Sequence, residues 1–125
     1  MQWIWVGLGG FLGANARYGV VLLCKKLFNE ATLPIGTLTV NLLGCFTIGL
    51  ISGYSLYKTT NHPLHAFVLV GFLGGFTTFS SFGLEAFQLL EKHQITTALL
   101  DVLLQVIIGI AAVWLGWWLS QLKSI

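Results

Sequence analysis

The chain has 125 residues, of which 56% are hydrophobic and only 8% charged, far below the roughly 25% charged fraction of soluble domains. That composition describes an integral membrane protein. A formal net charge of +2 spread along the chain argues against a nucleic-acid-binding surface, and no nucleotide-binding motif, redox centre or nucleophile–base constellation points to an enzyme or an energised pump.

Apolar runs of about 20 residues or more, enough for a spanning helix, are expected over residues 3–24, 33–57, 64–90 and 95–122. Between them lie Lys25, Lys26, Asn29 and Glu30, then Lys58, Asn61, His62 and Pro63, then Glu91, Lys92 and His93. The chain reads as one all-α transmembrane domain, 1–125, with four transmembrane helices and both termini on one side. The first run has no basic residue before it, is too long for a signal core and is followed by no A-x-A cleavage pattern, so it is read as a helix.

In the first span, Gly9 and Gly13 form a small-xxx-small pair that lets another helix approach closely. Arg17 lies about 12 Å of helix rise before Lys25. It either snorkels to the interface or faces the bundle interior or an aqueous vestibule, where its charge would draw anions inward. Cys24 and Cys45 lack metal-ligand spacing and are read as small packing residues.

The second span opens with Pro34 and Gly36 and carries Thr37, Thr39 and Asn41, with Thr37 and Asn41 one turn apart on one face. An asparagine amide in hydrocarbon needs partners. It serves either as an interhelical hydrogen bond or, beside a second polar helix, as a donor to a passing anion.

Residues 71–85, G-F-L-G-G-F-T-T-F-S-S-F-G-L-E, are the stretch that matters most. Gly74 and Gly75 each cost a helix interior about 1 kcal/mol relative to alanine, so the third helix is expected to break at this pair. Irregular backbone at membrane depth is tolerated only when buried in protein or lining a watery cavity. Four hydroxyls follow, from Thr77, Thr78, Ser80 and Ser81, with Phe79 and Phe82 three residues apart. Thr78, Ser81, Phe82 and Glu85 share one broad face, and the stretch reads as an ion site.

In the fourth span, Asp101 and Gln105 are i, i+4, with Gly109 and Gly116 beyond. Asp101, about a turn and a half inside the membrane, is read as a partly hydrated structural residue. Among loop lysines, Lys25, Lys26 and Lys92 stand on one side against Lys58 and Lys123 on the other, almost no bias by the positive-inside rule. All five tryptophans fall on the side of the termini, joined by Tyr54 and Tyr57. An aromatic belt normally marks both interfaces, so the inference is an antiparallel, dual-topology homodimer.

Three patterns, G-G-x-x-G-A-x-x-R-Y at 9–18, G-T-L-x-V-N-x-x-G at 36–44 and G-x-x-G-G-x-T-T-F-S-x-F-x-x-E at 71–85, resemble the small bacterial fluoride channels of the Fluc or CrcB family. With the four-span length they cover nearly the whole chain. The resemblance implies an inverted dimer in the bacterial inner membrane with two fluoride pores, lined by Asn41, Phe79 and Phe82, with Ser80 and Ser81 on a polar track and Arg17 toward a vestibule. Thr37, Thr39, Thr78 and Glu85 are supporting polar residues. It also implies a structural sodium at the dimer centre, held by the backbone carbonyls of Gly74 and Thr77. The chain departs from the family in the fourth helix, where many members place a tyrosine and serines at the positions of Asp101, Gln105 and Gly109.

The residue types suit fluoride, a small and strongly hydrated anion. Amide and hydroxyl groups donate, and a phenylalanine presents a positive ring edge. Rigid apolar walls would disfavour larger chloride. The expected role is passive export of fluoride that entered as hydrogen fluoride. Three alternatives stand beside it: a heterodimer with a paired homologue, a noncatalytic scaffold, and a proton-coupled small multidrug transporter, which needs a carboxylate where the first helix has Arg17.

Overall fold

In a bilayer the backbone has no water to bond to, and a continuous apolar run satisfies its own N–H and C=O groups by becoming a helix. The computed structural model describes residues 1–53 and 62–122. They form α1 (Gln2–Leu27), α2 (Ile35–Ser52), α3 (residues 63–76), α4 (Phe79–Glu91) and α5 (Ile95–Leu122). With α3 and α4 taken together as Pro63–Glu91, four helices are long and apolar enough to cross a membrane. Tyr54, Tyr57, Lys58, Asn61 and Lys123 lie outside the described residues.

Local chemistry sets the ends. Lys25 and Lys26 occupy the last turn of α1, where the helix dipole favours cations. Pro34 stands one residue before the first turn of α2, and its carbonyl accepts from the Leu38 N–H at 3.1 Å. Thr78 caps α4, its hydroxyl accepting from the Ser81 N–H at 3.1 Å. The other end of α4 closes with His93 at φ 56°, the Gln94 N–H reaching Leu89 O at 2.9 Å and the His93 N–H reaching Leu90 O at 3.0 Å. This is a Schellman stop with histidine in the left-handed position usual for glycine.

Two stretches have wider i→i+5 turns, Ala66–Leu73 in α3 and Leu104–Ile108 in α5. Such turns redirect side chains and often occur at functional sites.

Packing comes from small residues, since lipid gives apolar side chains little reason to leave it. The helix α1 lies along α3, and α2 lies along the C-terminal part of α5. At Gly13 an added Cβ would collide with the Phe72 carbonyl, and at Gly49 with that of Val113. The outward face is apolar: Trp3, Phe11, Ile110 and Trp114 are all exposed on the single chain.

One expectation needs correcting. Gly74–Phe76 is helical, and the backbone leaves helical geometry only at Thr77 (ψ 162°) and Thr78 (φ −154°, ψ 120°). The glycine pair is not where the helix stops; tertiary bonds to the next two residues determine that point.

Candidate functional site

Those bonds build the site. Helix α3 ends where the Thr77 N–H and hydroxyl both bond Leu73 O, at 3.0 and 2.9 Å. The next amide, that of Thr78, would close a turn on Gly74 O, but it donates to Asn41 Oδ1 at 2.8 Å. Asn41 Nδ2 donates back to the Thr78 carbonyl at 3.0 Å. A backbone N–H can only donate and a carbonyl can only accept, so this two-point clamp fixes which end of the Asn41 amide is which. The second Nδ2 hydrogen goes to Gln105 Oε1, also at 3.0 Å.

The neighbouring groups complete the fit. Gly44, three residues beyond Asn41 on α2, lies directly against the Thr77 methyl, and a Cβ there would occupy the methyl's place. Arg17 Nη1 donates to the Thr77 carbonyl at 3.2 Å. Its charge is therefore brought to the irregular backbone between α3 and α4. Two other spans thus bring Arg17 and Asn41 to these two extended residues, and Gln105 of a further span backs Asn41.

Directly after the clamp, the Phe79 and Phe82 rings meet edge-on, with centroids 5.5 Å apart and planes at 65°. Phe79 is 82% exposed on the single chain, so its ring is no part of this chain's core. Both rings, with Asn41, Thr78 and Gln105, line a mainly apolar cavity of about 430 Å³. One turn earlier on α2, the buried Thr37 hydroxyl donates to Glu85 Oε1 at 2.8 Å. Thr37 and Glu85 border a second cavity, of about 440 Å³, that also includes Lys25. Thr37 and Asn41, i and i+4 on one face, therefore border one cavity each.

The structure brings most of the expected residues together. Ser80 and Ser81 cluster on the Thr78 hydroxyl, at 3.3 and 3.1 Å. Thr39 stands apart, its hydroxyl 3.9 Å from Cys24 Sγ against α1. Gly74 lines the Phe79 cavity and has nothing within 4 Å of an added Cβ.

The fourth span holds the surprise. Asp101 is fully buried, not partly hydrated, and its carboxyl faces the Gln105 amide one turn on along the same helix. Gln105, given no role by its sequence, is the residue that reaches Asn41. An uncharged amide in the middle of an otherwise apolar run was the signal available.

Chemically, amide and hydroxyl side chains and two aromatic rings line one cavity with no charged side chain among them. A model of the family described as CrcB-like protein, Camphor Resistance (CrcB), matches residues 4–117. The chain belongs to the CrcB-like family. Curated relatives include a protein of Helicobacter acinonychis (strain Sheeba), 41% identical over 122 residues, with 97% of this chain and 96% of the relative covered. Another, from Paracoccus denitrificans (strain Pd 1222), is 46% identical over 111 residues, covering 89% and 87%. A third, from Helicobacter pylori (strain P12), is 39% identical over 119 residues, covering 94% and 92%. Each of these relatives is named a fluoride-specific ion channel, FluC.

Proposed function

We propose that this CrcB-like protein is a passive, fluoride-selective channel, assembled from two inverted copies with two pores. The observation that carries the reading is the Asn41 amide clamped on Thr78 beside the edge-on Phe79–Phe82 pair. The clamp holds donors without mobile water, and the ring edges add partial positive charge without a titratable group. Asn41, Phe79 and Phe82 line the path, Ser80 and Ser81 extend it as a polar track, and Thr37, Thr78 and Glu85 support its wall. Arg17 contributes a fixed positive charge near the Thr77 carbonyl, which favours anion entry.

Exposure supports a second copy. A pore needs a wall opposite Phe79, and the ring is 82% exposed on one chain. Inversion supplies that wall and accounts for the one-sided tryptophans. The compartment is the bacterial inner membrane, where the channel releases fluoride that entered as neutral hydrogen fluoride.

The same reading includes a structural sodium between the copies. Gly74 fits: its usual helical donor, the Thr78 N–H, is bound by Asn41, leaving the carbonyl free for a cation. The Thr77 carbonyl already accepts from Arg17 and has one lone pair left. A sodium held there by both copies would tie the two irregular segments together and place a fixed positive charge between the pores.

A passive channel needs only a gradient. Fluoride efflux from proteoliposomes should proceed at the same rate with and without ATP, and collapsing a proton gradient with an ionophore should leave it unchanged. Efflux that stops without ATP, or moves protons at a fixed ratio, would exclude a channel and support a pump or a proton-coupled carrier.

A further inference from the structure

Asn41 has two amide hydrogens, and both are engaged: one on the Thr78 carbonyl, the other on Gln105 Oε1. An anion bound by Asn41 must replace one of these acceptors. The Thr78 carbonyl is backbone and belongs to a clamp closed from both sides by the Thr78 N–H. Gln105 is different. Its Oε1 is anchored on Asn41 and its Nε2 faces the Asp101 carboxyl one turn back on the same helix, so it is held by side chains alone. An amide held only by other side chains can shift with them about its torsions, whereas one held by two backbone groups cannot. Gln105 also lies in the wide-turn segment Leu104–Ile108 of α5 and lines the Phe79 cavity.

We propose that Gln105 is a positioning residue for anion binding, its carbonyl oxygen acting as the resident acceptor that holds the second Asn41 N–H between ions and yields it to fluoride. This inference rests on the fluoride-channel reading. A donor left bare in an apolar cavity would have no acceptor except the ion, which would then bind tightly and leave slowly. A resident acceptor keeps the donor aimed and makes each fluoride compete for it. Conduction depends on that balance, since a site must bind strongly enough to admit an ion and weakly enough to release it.

The test is single-channel recording in planar bilayers across a range of fluoride concentrations, with wild-type protein, Gln105→Met and Gln105→Glu. Methionine matches the size of glutamine but offers no amide acceptor. Its half-saturating fluoride concentration should fall by about tenfold, with a smaller maximal unitary current. Glutamate keeps an acceptor oxygen and adds negative charge, so its half-saturating concentration should rise above wild type. A purely packing role would change how many channels are active without moving either value. Wild-type half-saturation in both variants would overturn the inference while leaving the channel reading intact. If Gln105→Met fails to assemble, Gln105→Glu decides alone, and the absence of a rise overturns it. A wild-type protein that carries no fluoride current would overturn the channel reading and this inference together.

Discussion

Replacing Asn41 with leucine should slow fluoride release from proteoliposomes by at least about 100-fold, the equivalent of roughly 3 kcal/mol in a barrier. Leucine is similar in volume but removes both donors and the acceptor for the Thr78 N–H. It leaves the Thr78 N–H and carbonyl without their partner, at a cost of about 1–3 kcal/mol for each group that stays buried and unbonded. The thermal midpoint in detergent should therefore fall as well. Rates are to be normalised to assembled protein by size-exclusion chromatography. Near-wild-type release from the assembled variant would show that the Asn41 clamp is only a helix–helix tie.

The second large effect concerns the rings. The double substitution Phe79→Ile and Phe82→Ile should abolish fluoride release while leaving assembly and thermal midpoint close to wild type. Phe79 is 82% exposed on the single chain, and isoleucine preserves apolar bulk, so the change costs little in this chain's core. It removes two rings that pack edge to face, centroids 5.5 Å apart and planes at 65°, beside the cavity, and with them the positive ring edges that the proposed path uses. A scaffold built from the same helices predicts no loss of function. Fluoride-electrode traces on matched vesicles separate the two readings, and unimpaired release would remove both phenylalanines from the pore.

The four spans could be read from the sequence because hydrophobic length alone defines them. The expected 95–122 ends where the described α5 ends, at Leu122, and the expected 64–90 is within one residue of Pro63–Glu91 at each end. The start of the irregular segment could not be read so well. Propensity singles out Gly74 and Gly75, yet both are helical. The backbone departs at Thr77 and Thr78 because Asn41, 37 residues away in sequence, takes the Thr78 N–H. That is a tertiary bond which no local preference encodes. The contact of Phe79 with Phe82 and the clustering of Ser81 on Thr78 could be read from spacing, because i, i+3 positions survive folding into a helix. Thr37 and Asn41 share their face for the same reason.

The fourth span resisted reading for a related cause. Asp101 and Gln105 are an ordinary i, i+4 pair on paper, and depth along the span suggested water near Asp101. Contact with neighbouring helices leaves it with 0% exposure. The wider turns at Leu104–Ile108 follow directly and carry Gln105 to Asn41. Arg17 presents a similar case, since its charge was evident but its destination, the Thr77 carbonyl, depends on how α1 docks against α3.

The most direct test of the central claim is efflux from liposomes containing the purified protein, loaded with potassium fluoride or potassium chloride. Valinomycin releases the potassium, and ion-selective electrodes read the anions. Rapid fluoride release with chloride retained is the predicted result. Retention of fluoride by vesicles with verified assembled protein, or equal release of both anions, would contradict it.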